Sequence, residues 1–187
     1  MNYFWQSCIA WGGGATCGVL PWTMTDSGWN VQNGYSPSFT ATSTTMIETS
    51  LARPPLASIT AAVGRVGSHY HFDINITNLS GATLSAANEA RVFAFIYEVK
   101  PPDHTTHLTS HPARAVVSSA IASLADQASG NFTLDTPDLN GVVWENLHPA
   151  VIVTYRPGGA GSGWYDTLQA AFEYAPVQLF LPLIITP

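Results

Sequence analysis

Three histidines fall close together in Asp103-His104-Thr-Thr-His107-Leu-Thr-Ser-His111, and two more stand at His69 and His71. Imidazole is a ligand for Zn, Cu and Ni, so this chemistry has to be weighed first. On a helix, positions 104, 107 and 111 would share one face. Pro101-Pro102 and Pro112 bracket the run, however, and make it a loop. A loop can still converge on an ion. His69 and His71 are two apart in an extended run and point the same way. The candidate metal set is therefore His104, His107 and His111, or His69 and His71 joined by one of them, with Zn or Cu as the ion. The competing reading makes all five solvated loop and strand residues and requires no cofactor.

Other chemistry is thinner. There is no Gly-x-Ser-x-Gly elbow, and Gly161-Ser-Gly163 lies in a glycine loop without a strand-turn-helix context. Asp135, Asp138 and Glu145 could line one rim, but nothing in their spacing sets an acid opposite a base. No phosphate-binding glycine motif occurs. The sequence contains no catalytic set, which favours a non-enzyme. Asn75-Ile-Thr77, Asn78-Leu-Ser80 and Asn131-Phe-Thr133 match the glycosylation pattern, a short motif that arises easily in Asn/Thr-rich chains.

The elements that must position these groups are strands. In His69-Tyr-His-Phe-Asp-Ile-Asn-Ile-Thr77, Tyr70, Phe72, Ile74 and Ile76 alternate with polar residues, the pattern of a strand with one face in a core and the other in water. Ala57–Val66 and Thr167–Tyr174 alternate in the same way, the latter with Leu168, Ala170 and Phe172 on one face. Ala90–Val99 is apolar on both faces and reads as central. With Ala113–Ser119, Asn131–Leu134 and Ala150–Tyr155, these runs predict an antiparallel immunoglobulin-like β-sandwich of about seven strands. Ala120–Gln127 fits a helical turn or a strand continuation. Ahead of the strands, residues 38–51 predict one short helix, with Phe39, Met46, Ile47 and Leu51 on a stripe and Arg53-Pro54-Pro55 as its stop. The expected organisation is a Trp/Gly-rich N-terminal segment over 1–55, a sandwich over 56–176 and an apolar tail over 177–187.

Trp5, Trp11, Trp22 and Trp29, four of the six tryptophans, lie in the first segment. They suit a cap over the sandwich or an aromatic platform for a glycan. Cys8 and Cys17 flank a loop with three consecutive glycines and are read as a disulfide of an oxidising compartment. The tail, Val177-Gln-Leu-Phe-Leu-Pro-Leu-Ile-Ile, is too short to span a membrane and reads as an edge strand or a site of self-association.

Composition narrows the partners. Charged residues are only 10% of the chain and the net charge is −6, with 6 Lys+Arg against 12 Asp+Glu. Nucleic acid and anionic membranes need clustered cations, which are missing. A neutral surface rich in Ser, Thr and Asn suits an extracellular or cell-surface protein whose partner is a glycan, another protein or a second copy.

Glu145-Asn-Leu-His-Pro-Ala-Val-Ile-Val-Thr-Tyr155, the glycine loop and Thr167-Leu-Gln-Ala-Ala-Phe172 together resemble a bacterial secreted family. In it a thioredoxin-like domain precedes an immunoglobulin-like sandwich. Val92–Glu98 and Ala113-Arg-Ala-Val-Val117 look like its central hairpin. Gly18-Val-Leu-Pro-Trp22 is similar to the cis-proline segment of a thioredoxin fold, which would make residues 18–51 a remnant of that domain. The redox Cys-x-x-Cys is absent. The resemblance thus implies a secreted, mainly non-catalytic module.

Overall fold

The computed structural model describes residues 22–25, 29–33, 37–100, 112–161 and 164–172. Two sheets face each other. The first has three strands in the order β3 (Ala57–Val66), β4 (His69–Asn78), β9 (Ser129–Asp135). The second has four, in the order β11 (Asp166–Phe172), β10 (Leu147–Tyr155), β6 (Arg91–Glu98), β7 (Ala113–Ala120). Every pairing is antiparallel. This is the expected immunoglobulin-like sandwich.

A two-residue ladder, β5 (Leu84–Ser85) with β8 (Ser123–Leu124), closes one end of the sandwich, here called the lower end. A hairpin of β1 (Trp22–Thr25) and β2 (Asn30–Asn33) packs with helix α1 (Phe39–Leu51) beside it. Among the described residues, no helix is long and apolar enough to cross a membrane.

The core follows from alternation. Tyr70, Phe72, Ile74 and Ile76 of β4 are buried, as are Val92, Ala94 and Ile96 of β6 and Val151 and Val153 of β10. Burying a side chain the size of Ile or Phe contributes about 1.5–3 kcal/mol, so this interlocked set is the main source of stability.

Two expectations are corrected, and the choice left open at 120–127 falls in part to the strand. The helix at 39–51 forms, but of its stripe only Met46 is buried, while Ile47 and Leu51 are exposed. In β11 the strict alternation fails. A bulge between Val153 and Thr154 shifts the register, so Leu168 and Ala171 face the core rather than Leu168 and Ala170. The 120–127 stretch is not helical. Ile121 drops into the core, β8 follows, and the chain turns through Gln127 at φ 62°.

Two ion pairs with buried carboxylates clip the connections to the sheets. Arg53, just past α1, donates from Nη1 and Nη2 to the two carboxylate oxygens of Asp166 at 2.9 and 2.7 Å. Arg114 Nε donates to Glu98 Oε2 at 2.7 Å, beside the mouth of the β6–β7 connection.

Candidate functional site

β4 places its polar residues outward, and β9 answers each of them across the ladder. His71 Nδ1 lies 2.7 Å from Asp135 Oδ1. Thr133 Oγ1 donates to Asp73 at 3.4 Å, Asn75 Nδ2 donates to Asn131 at 2.7 Å, and the hydroxyls of Thr77 and Ser129 meet at 2.8 Å. The register pairing His71 with Asp135 fixes all four rungs, because each step of two residues returns to the same face.

At the upper end the ladder becomes ionic. His69 Nε2 is 3.8 Å from the same Asp135 Oδ1, and His69 Nδ1 is 4.0 Å from Asp138 Oδ1. His71 Nε2 is 3.5 Å from Asp73 Oδ1. Two imidazoles and three carboxylates therefore share one solvent-facing patch.

The β9–β10 connection is held against the β3–β4 turn and so fixes this patch. Thr136 Oγ1 accepts from the Tyr70 amide at 2.9 Å, and the Leu139 amide donates to Ser68 O at 2.7 Å. Trp144 packs at 5.6 Å from the Tyr70 ring while the Arg65 guanidinium covers it at 3.7 Å. A guanidinium on an indole face is a favourable stack.

The Ser68 hydroxyl donates to Asp138 rather than to an imidazole. The side chains of His69, His71, Asp73, Asp135 and Asp138 are 31–67% exposed. Acid–base groups gain strength from exclusion of water, and this patch is open to it.

The hydrogen bond to Asp135 raises the His71 pKa above its ordinary value of 6.5, and the charges of Asp135 and Asp73 add to the effect. Folding thus favours the protonated imidazole. Its stabilising contribution is complete below the unfolded value and is lost as pH rises through the folded one. Between about pH 6 and pH 8 the wild type should lose more melting temperature than His71→Gln, the unfolded imidazole titrating near 6.5. Parallel melting curves for the two proteins would contradict the role of the Asp135 bond.

A second polar cluster lies at the lower end. Glu89 sits in the left-handed region at φ 50° and accepts the Tyr165 hydroxyl, with Arg156 Nε at 3.0 Å and the Gly161 amide at 3.2 Å. The Tyr165 hydroxyl holds the Glu89 carboxyl below the usual carboxylate range, with Arg156 contributing, while burial and that same bond push the Tyr165 phenol up. The cluster pins the glycine loop after β10 and is structural.

His69 and His71 are thus brought together with Asp135 and Asp138, whose role beside the histidines the sequence did not indicate. The signal, antiparallel pairing of β4 with β9, is invisible without register. His104, His107 and His111 lie outside the described residues, as do Cys8, Cys17, Trp5 and Trp11, and nothing is described of the Trp22 side chain. Trp29 has Arg53 over its ring at 4.3 Å. His148 stacks on Tyr97 at 5.5 Å, away from the patch. Among the described residues, no group of three or more His, Cys, Asp or Glu is arranged to hold a metal ion.

The described fold and patch define an immunoglobulin-like β-sandwich with a His/Asp surface at one end. No family model and no curated protein matches the chain. Solved structures do match it. The alkylpurine DNA glycosylase AlkC of Pseudomonas fluorescens is similar at 16% identity over 67% of this chain and 32% of that one, with a TM-score of 0.37. The sporulation control protein Spo0M of Bacillus subtilis is similar at 10% identity over 63% and 47%, with a TM-score of 0.36. β-Glucosidase 3B of Thermotoga neapolitana is similar at 13% over 62% and 16%, with a TM-score of 0.30. The chain spans less than half of each, and these likenesses assign no activity to it.

Proposed function

We propose that the chain is a secreted or cell-surface bacterial β-sandwich module that acts by binding and assembly, with no chemical step of its own. The observation behind this reading is the disposition of its ionisable groups. The buried carboxylates clip loops and edges together, Asp166 with Arg53 and Glu98 with Arg114. The exposed ones form an open patch of two imidazoles and three carboxylates. The sequence resemblance to the family with a thioredoxin-like domain ahead of a sandwich supports secretion. The uncharged 177–187 tail supports self-association as the form of assembly. Light scattering on the full chain and on a variant lacking 177–187 tests it. The full chain should be oligomeric and the shortened one monomeric, and an unchanged mass would refute assembly through the tail.

One observation favours a metal-binding reading as the second possibility: both imidazoles approach the same Asp135 oxygen. Elemental analysis, with melting temperatures measured in added Zn or Cu, decides it. Neither bound metal nor a thermal shift is expected if the patch is purely a recognition surface.

A further inference from the structure

We propose that Asn140 is a site of covalent self-modification, at which the Gly141 backbone nitrogen displaces the side-chain amide and water then leaves aspartate or isoaspartate in its place.

The chemistry needs an asparagine followed by a backbone nitrogen that is unhindered and not held by a hydrogen bond. The Gly141 nitrogen forms a bond to Asn140 Cγ, the Cγ–Nδ2 bond breaks, and the proton from the backbone nitrogen leaves with Nδ2 as ammonia. Water opens the resulting cyclic imide. Cleavage at Cγ gives aspartate, and cleavage at the main-chain carbonyl gives isoaspartate, with the backbone rerouted through Cγ. Water is the one co-reactant.

The β9–β10 connection meets these needs at one position. It is pinned on both sides. Leu139 is buried and its amide donates to Ser68 O at 2.7 Å, while Trp144 is held between Tyr70 and the Arg65 guanidinium. Between the pins, Asn140 and Gly141 are exposed and belong to no strand or helix. Among the described residues, neither the Asn140 side chain nor the Gly141 N–H has a hydrogen-bond partner. Gly141 sits at φ 66°, the left-handed region that favours glycine. A Cβ built there would meet none of the described residues within 4 Å, so the attacking nitrogen is uncrowded.

The other asparagines of the sandwich are protected. Asn75 and Asn131 lie in paired strands with their side chains bonded to each other. Asn78 and Asn88 use both ends of their amides. The nitrogens that follow Asn78, Asn88 and Asn146 are all engaged, Leu79 to Leu56 O, Glu89 to Ala86 O and Leu147 to Trp144 O.

The modification has a place to act. Asn140 is two residues beyond Asp138, which faces His69 in the open patch. The new carboxyl is ionised at neutral pH. One neutral amide becomes one carboxylate, so the net charge goes from −6 to −7 and the rim of the patch gains a negative group. Because this arch carries no ladder bonds, the rerouted backbone leaves both sheets intact.

The test incubates the folded full chain in mildly alkaline buffer, with a urea-unfolded sample beside it, and maps each asparagine by peptide mass spectrometry. Mapping separates Asn140 from the other Asn-Gly pair, Asn33-Gly34. In the folded chain Asn140 should convert at a rate close to that of the unfolded chain, with a mass gain of about 1 Da as NH2 becomes OH. Asn75, Asn78, Asn88, Asn131 and Asn146 should convert at least an order of magnitude more slowly. Conversion should accelerate with pH, because the attacking atom is the deprotonated amide nitrogen. Asn140→Gln, an exposed and unbonded position that the fold tolerates, should remove the product. An Asn140 that survives in the folded chain and converts only in urea would overturn the inference. So would a product containing aspartate and no isoaspartate, which would mean direct hydrolysis without attack by Gly141.

Discussion

Replacing Arg53 by leucine should cost about 3–5 kcal/mol of folding stability, the range seen when one member of a buried ion pair is removed. The Asp166 side chain is 5% exposed and that of Arg53 is 17% exposed. Two parallel hydrogen bonds at 2.9 and 2.7 Å join them. Such forked pairing is stronger than a single contact. Leucine would leave the Asp166 carboxylate desolvated and without its partner, and would also uncover Trp29. Urea denaturation measures the loss directly. The double replacement Arg53→Leu with Asp166→Leu should recover much of it, because the penalty comes from the stranded charge and not from the missing attraction. A loss below about 1 kcal/mol would place the pair with solvent-screened surface bridges.

Asn78→Ala should cost about 3 kcal/mol, since each buried polar group left without its partner costs roughly 1–3 kcal/mol. Asn78 is fully buried at the end of β4. Its Nδ2 donates to Ala82 O at 2.7 Å and Leu124 O at 2.9 Å, while its Oδ1 accepts the Ser80 amide at 3.0 Å and the Ser80 hydroxyl at 2.7 Å. Its own backbone exchanges bonds with Ala128 and Gln127. One amide thus organises three connections at the lower end. Asn78→Asp should be at least as damaging, because a carboxylate accepts but cannot donate to the two carbonyls. Chemical denaturation of both variants checks this, and near-wild-type midpoints would contradict it. The Asn78 side chain is therefore committed to the fold, and its sequon holds no acceptor for a glycan in the folded chain.

Much of the fold was legible because periodicity records burial. The alternation in 69–77 identified β4, and the two-faced run at 90–99 identified the central strand β6. What periodicity does not encode is which residues meet across the molecule. Arg53 and Asp166 are 113 positions apart, and Glu89 and Tyr165 are 76 apart. Each pairing follows from strand order, which a single sequence does not report. The candidate site shows the same division. The shared face of His69 and His71 was readable from their spacing. Their contact with Asp135 and Asp138 depends on the β4–β9 register and on the connection that Trp144 and Thr136 hold down. The β11 alternation misled because one bulge reverses facing for every residue beyond it. The α1 stripe misled because the helix rests on a small hairpin that covers little of it.

The Arg53–Asp166 clip also bears on how the module would respond to being pulled. β3 is the first strand of the sandwich and starts at the lower end. β11 is the last among the described residues, and it runs the same way to finish at the upper end. Tension between the two flanks of the chain would therefore act lengthwise on β11, sliding it against β10 so that the rungs of that ladder stretch together and do not open one at a time. The clip, with the Leu56 amide donating to Leu168 O at 3.2 Å, ties the incoming chain to the foot of that same strand. Shear of this kind resists force better than peeling.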